Sequence, residues 1–336
     1  MRYTKNRFYI LLLLALAGLA GCDEGTTTDP IAANEAELLV DYVESNRGYD
    51  VHGGYIVAAS DVRTAIVTAP DDYLVVDIRA AADFAAGHIP GAVNVALGAL
   101  PDYLAGLSPA ASTYEKVFLI CYSGQSAAYS TGVLRAMGFE NVFSMKFGMS
   151  AWHTDFSGSW NNNVSNERVT QFVTGASPAM NAAGELPTLD TGFEDGASIL
   201  EARTTAVFEA GFGPAKVTDD DVFMNTDDYY VINFWPPSLY ESLGHIPGAI
   251  NYDPSTKPFE LGTYLTTLPR DKPVVIYCYT GQTSAYITAY LRVLGYDART
   301  LLFGGNSMIH DAMAAEGVTA WDASQHVMDY DYEVTT

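Results

Sequence analysis

Two near-identical stretches carry the residues best suited to chemistry. "ICYSGQSAAY" spans Ile120 to Tyr129, and "YCYTGQTSAY" spans Tyr277 to Tyr286. In each, a cysteine ends an apolar run, and a glycine follows three positions later. A cysteine at the carboxyl end of a buried parallel strand lies where open α/β sheets place their sites. The residues after it curl into a helix N-terminus, whose backbone N–H groups and dipole favour thiolate over thiol. Cys121 and Cys278 are therefore candidate nucleophiles. Tyr122, Ser123, Gly124, Gln125 and Ser126 form the first candidate binding loop, and Tyr279, Thr280, Gly281, Gln282 and Thr283 the second. Gly124 and Gly281 permit backbone angles that side chains forbid, and Ser126 and Thr283 can add hydroxyl donors.

The elements that must position these loops repeat as well. "GHIPGAVN" (Gly87 to Asn94) returns as "GHIPGAIN" (Gly244 to Asn251), and "VLRAMGF" as "YLRVLGY". His88 precedes Cys121 by 33 positions, and His245 precedes Cys278 by the same 33. Several blocks in one order mean duplication of a whole domain. Within a unit, Leu74 to Ile78 and Val117 to Cys121 read as strands buried on both faces. Pro90-Gly91 marks a turn. Ser126 can cap a helix that Gly138 ends, and 141–147 reads as a further strand. The second unit gives strands at 231–234 and 274–278 and a helix at 283–294. Helices are expected ahead of the units near 35–45 and 197–210. The fold class is α/β: two tandem domains, each a small parallel sheet with helices on both faces.

The chain of 336 residues accommodates two such domains. Arg2, Lys5 and Arg7 precede an apolar run from Phe8 to Ala20 that is short for a membrane span. "LAGC" (Leu19 to Cys22) resembles a bacterial lipobox, which implies lipidation of Cys22. The resulting expectation is an exported protein anchored to a membrane through Cys22. The organisation expected is a signal peptide over 1–21, a tether over 22–33, domain 1 over 34–160, a linker over 161–193 and domain 2 over 194–336. The formal net charge is −23, which opposes binding to a phosphate backbone, so nucleic acid is not an expected partner.

The combination "VVDIRAAADFAAGHIPGAVN" plus Cys-x-x-Gly-x-Ser, present twice in outline, resembles the tandem rhodanese (sulfurtransferase) family. The resemblance implies that Cys121 and Cys278 take a sulfane sulfur, form a persulfide and pass it on. It implies a small sulfur-containing donor, polysulfide or thiosulfate-like, a thiol acceptor, and no cofactor or metal. Related phosphatase domains use a loop longer by one residue, which disfavours phosphate-ester hydrolysis. The alternative function is a carrier of sulfur or selenium, or a docking module for a redox partner, with little turnover.

Two departures from the family pattern stand out. Neither loop contains Lys or Arg, which would anchor an anion by charge-assisted hydrogen bonds. Thiosulfate is therefore expected to be a poor donor. The second departure is that Asn233 and Trp235 replace Asp77 and Arg79. Asp77 and Arg79 are expected to support the first site, with Arg79 reaching Asp83 and Asp77 accepting loop N–H groups. Cys121 is then the better nucleophile of the two. His88 and His245 are expected to make structural hydrogen bonds in their turns. A disulfide between Cys121 and Cys278 is disfavoured, because duplicate loops belong to separate domains.

Overall fold

Among the described residues, ten short strands build two five-stranded parallel sheets. In the first half they are β1 (Ile56–Val57), β2 (Tyr73–Asp77), β3 (Val93–Asn94), β4 (Lys116–Ile120) and β5 (Val142–Met145), in the order β1-β5-β4-β2-β3. In the second they are β6 (Lys216–Val217), β7 (Tyr230–Asn233), β8 (Ile250–Asn251), β9 (Val274–Tyr277) and β10 (Ala298–Leu301), in the order β6-β10-β9-β7-β8. The computed structural model describes residues 34–46 and 54–335. The expected signal peptide, tether and Cys22 lie outside the described residues.

The central strands read "YLVVD", "KVFLI", "YVIN" and "VVIY". Nearly every side chain on them is buried, as strands covered on both faces require. The duplication is visible in the register. Ile56 pairs with Ser144 on β5, and Lys216 pairs with Thr300 on β10.

Four longer helices are α1 (Glu35–Asn46), α2 (Gln125–Ala136), α3 (Gly196–Ala210) and α4 (Gln282–Val293). Both site helices start earlier than expected, at Gln125 rather than after a Ser126 cap, and at Gln282 rather than at 283. Each N-cap is the left-handed glycine, Gly124 (φ 85°) or Gly281 (φ 73°). The positive φ turns the chain directly from loop to helix, so the hydroxyl residues fall inside the first turn.

The halves are not two beads on a string. Ala33–Thr336 form one compact unit, and the largest of three hydrophobic clusters draws side chains from both sheets. The helices α2 and α4 pack against each other, and Tyr55 stacks on Tyr286 with ring centroids 3.6 Å apart. Each half also lends an arm to the other. Beyond the second sheet, Glu333 exchanges two backbone hydrogen bonds of 2.9 Å with His88. Beyond the first sheet, Val173 exchanges bonds of 3.0 and 2.8 Å with His245. The turn that carries each "GHIPGA" is thus closed by chain from the opposite half.

Candidate active site

Each site is built on the step from a central strand to its helix. Strand β4 ends at Ile120, and Cys121 is 1 % exposed. Its sulfur accepts hydrogen bonds from Gly124 N–H at 3.1 Å and from Ala127 N–H at 3.4 Å. Strand β9 ends at Tyr277, and Cys278 is 4 % exposed. Its sulfur accepts from Ser284 N–H at 3.4 Å, and Ser284 Oγ lies 3.5 Å away. Both sulfurs therefore sit over a helix N-terminus with backbone donors aimed at them, an arrangement that stabilises negative charge on sulfur. Both cysteines are free.

The hydroxyl near Cys278 comes from Ser284, one residue after the expected Thr283. Ser284 Oγ also lies 2.7 Å from Thr300 Oγ1, which donates to Gly281 O at 3.2 Å. The first half has Ala127 and Ser144 at these positions, so this hydroxyl chain is unique to the second site. Each loop is braced from the end of its fifth strand. Met149 N–H donates to Cys121 O at 2.8 Å, and Gly305 N–H donates to Cys278 O at 3.0 Å. Trp160 Nε1–H donates to Ser123 O at 3.0 Å, and Asn306 Nδ2–H to Tyr279 O at 2.7 Å.

The supporting pair in the first half is arranged differently from expectation. Arg79 pairs with Asp77, not Asp83: Nη2 lies 2.6 Å from Asp77 Oδ2, and both side chains are buried. Asp77 accepts from Arg79 rather than from the cysteine loop, including the Arg79 backbone N–H at 2.9 Å. Two residues of separation let the carboxylate close a turn around its own neighbour before any loop donor reaches it. Arg79 Nη2 also donates to Gly87 O at 2.6 Å. Its guanidinium lies 5.8 Å from the Tyr122 ring centroid, and the Tyr122 hydroxyl bonds to Asp83. Burial, with that hydrogen bond, holds the Tyr122 phenol above its ordinary pKa.

In the second half Trp235 takes the place of Arg79. The indole stacks on Tyr279, centroids 5.5 Å apart, as the guanidinium lies over Tyr122. Asn233 Oδ1 accepts from Trp235 N–H at 3.1 Å and from Asn251 Nδ2 at 3.0 Å. An ion pair has become an apolar stack on a neutral turn. Burial beside Cys278 pushes the Tyr279 pKa up to about 12, so its phenol stays protonated near neutral pH.

Sequence reasoning placed Gln125 and Gln282 in the loops and missed their reach across to the other half. Gln125 Oε1 accepts from Phe303 N–H at 2.8 Å, and Gln282 Oε1 accepts from Phe147 N–H at 2.9 Å. A Cβ at Gly124 would collide with Gln282 Oε1, and one at Gly281 with Gln125 Oε1. The two candidate loops are therefore locked to each other's half, although they belong to different sheets. The matched glutamines in both loops were the available signal. His88 Nδ1 lies 2.8 Å from Phe84 O and His245 Nδ1 lies 3.3 Å from Tyr240 O, which is the structural bonding expected of both.

The site geometry agrees with what comparison finds. A model of the rhodanese-like domain matches residues 60–155 and 220–311, more than half of the chain. The chain belongs to the rhodanese-like domain family. It is 35% identical over 83 residues to the thiosulfate sulfurtransferase GlpE of Pseudomonas putida, covering 25% of this chain and 72% of that protein. It is 31% identical over 94 residues to GlpE of Pseudomonas entomophila, covering 28% of this chain and 83% of that protein. A crystal structure of a thiosulfate sulfurtransferase from Pseudomonas aeruginosa aligns with 86% of this rhodanese-like chain at 17% identity and TM-score 0.30. The chain spans about half of that structure's length, 49%.

These relatives also correct the expected location. The match to GlpE-type thiosulfate sulfurtransferases stands against the expected exported, lipid-anchored location, which is withdrawn. Among the described residues no helix is long and apolar enough to cross a membrane.

Proposed function

We propose that the chain is a rhodanese-type sulfurtransferase in which Cys121 and Cys278 each carry a sulfane sulfur. The observation that carries this reading is the pair of buried cysteine sulfurs, each accepting backbone N–H bonds at the head of a site helix. The cysteine thiolate attacks the outer sulfur of the donor. The donor's S–S bond breaks, and its electron pair leaves on sulfite from thiosulfate or on the shortened chain from a polysulfide. The product is a cysteine persulfide, whose negative terminal sulfur the loop donors stabilise. An acceptor thiolate then attacks that terminal sulfur, and the cysteine thiolate is released. The loop residues Tyr122–Ser126 and Tyr279–Thr283 form the walls around the transferred sulfur, and Asp77 with Arg79 holds the first wall.

The named activity of the Pseudomonas relatives supports a donor of the thiosulfate class. We assign domain 1 to residues 34–160 and domain 2 to 194–336, joined by 161–193, an assignment within which both family matches fall. Steady-state transfer from thiosulfate or polysulfide to a small thiol tests the proposal. The wild type turns over, and Cys121→Ser/Cys278→Ser does not. Undiminished turnover by the double variant would refute it.

A further inference from the structure

Neither cysteine loop carries a cation, yet a cation reaches the second site from the first half. A cavity of about 230 Å³ beside Cys278 brings Cys278, Thr280, Gln282 and Thr283 together with Ile56 and Lys146. Lys146 follows the end of β5, where its backbone N–H donates to Val57 O at 2.8 Å. The matching residue of the second half is Leu302, whose N–H donates to Val217 O at 3.0 Å. The duplication therefore gives this position a charge in one half only.

Three further features of the cavity point to an anion. Lys146 makes no ion pair with a carboxylate among the described residues, and its ammonium lies 5.0 Å from the Phe147 ring centroid. Gln282 is 0 % exposed, and its amide Nε2 has no hydrogen-bond partner, whereas Gln125 Nε2 in the first loop donates to Ser123 Oγ at 3.1 Å. The cavity also lies over the N-terminus of α4, which favours negative charge. Burial lowers the Lys146 pKa, and His326 is pushed down first by its own burial and then by the Lys146 charge. An anion beside Lys146 would favour its charged form.

We infer that Lys146 makes the cavity beside Cys278 an anion subsite, which holds the sulfonate end of a thiosulfate-class donor while Cys278 attacks its outer sulfur. The subsite rests on the reading of Cys278 as a sulfur acceptor, and it restores across the domain boundary the cation that the loop lacks. The Cys121 loop has no such help from Leu302, so the two sites differ in donor: anionic thiosulfate charges Cys278 in preference to Cys121, and a neutral organic trisulfide does not discriminate in this way.

Two readouts on the full chain test this. The first is protection of Cys278 from iodoacetamide by sulfate, an inert tetrahedral anion that involves no sulfur transfer. The second is loading of Cys278 in a Cys121→Ser background, read as the persulfide that forms from thiosulfate with release of sulfite, or as the mixed adduct Cys–S–S–S–R that forms when the thiolate attacks the central sulfur of the neutral trisulfide and RS⁻ leaves. Lys146→Gln is expected to abolish sulfate protection and to raise the thiosulfate concentration for half-loading by roughly tenfold or more, the scale of one charge-assisted contact. Lys146→Arg retains both. Trisulfide loading of Lys146→Gln stays within about twofold of its parent, which shows that the variant is folded. Sulfate protection and thiosulfate loading that are indifferent to Lys146→Gln would overturn the subsite and leave the sulfurtransferase reading standing. Protection that depends on Lys146, with no loading from either donor, would support the anion subsite and defeat the sulfurtransferase reading.

Discussion

The two halves share a backbone plan and differ in what stands behind the cysteine. In the first, Arg79 and Asp77 form a buried ion pair whose guanidinium lies over Tyr122. In the second, Trp235 stacks on Tyr279 and leans on the neutral Asn233. Both solutions place a flat group against the first loop tyrosine, so the fold requires the shape and tolerates either chemistry. The sulfurs differ as well. Cys121 takes two backbone N–H bonds, whereas Cys278 takes one and lies near the Ser284 hydroxyl. One ancestral unit has diverged into a site held by fixed backbone donors and a site assembled with help from the other half.

The strongest way to break this comparison is to remove one member of the first pair. Arg79→Met leaves the Asp77 carboxylate buried and unpaired, and stability is expected to fall by about 3–5 kcal/mol. Chemical denaturation monitored by tryptophan fluorescence reads this as a lower midpoint. A loss within experimental error would mean that the pair does not brace the wall.

The second test exchanges the walls. Trp235→Arg alone buries a guanidinium against a neutral turn. Adding Asn233→Asp supplies the carboxylate, and the double variant is expected to recover about 1–3 kcal/mol of what the single change loses. The double-mutant cycle from denaturation midpoints gives this coupling directly. Zero coupling would show that the second half cannot house the first half's pair.

The reciprocal glutamines provide a finer comparison. Gln125→Ala leaves Phe303 N–H without its acceptor and removes the bond to Ser123, while Gln282→Ala leaves only Phe147 N–H. Each is expected to cost about 1–3 kcal/mol, with Gln125→Ala the more costly. The smallest effect concerns the hydroxyl that only the second site has. Ser284→Ala is expected to slow alkylation of Cys278 at neutral pH, and Ala127→Ser to speed that of Cys121. Each change is several-fold, corresponding to about 0.5–1.5 kcal/mol for one hydrogen bond.

Much of this was legible in the sequence because the duplication repeats it. The buried strands, the turn at "GHIPGA", the loops headed by Cys121 and Cys278 and the helices after them all follow from local patterns written twice. What stayed hidden depends on chain distant in sequence. The approach of Lys146 to the Cys278 cavity has no local mark, since a lysine at a strand end usually faces solvent. The same holds for the arms that carry Val173 and Glu333: Val173 bonds through its backbone, and Glu333, which also turns its carboxylate toward His88 and Gly91, lies more than 240 residues from them in the chain. Arg79 was expected to reach Asp83 and instead pairs with Asp77, because a carboxylate two residues away competes better than one four residues away. The net charge of −23 is a sum over the whole chain and says nothing of Lys146 beside Cys278, which has no carboxylate partner among the described residues.

The central claim is that both cysteines are sulfur acceptors, and site-resolved mass spectrometry after exposure to polysulfide tests it most directly. The wild type is expected to gain one sulfur atom on Cys121 and one on Cys278, each single serine variant to lose its own, and the double variant to gain none. A double variant that still charges fully, or a wild type that charges at neither cysteine, would contradict the account.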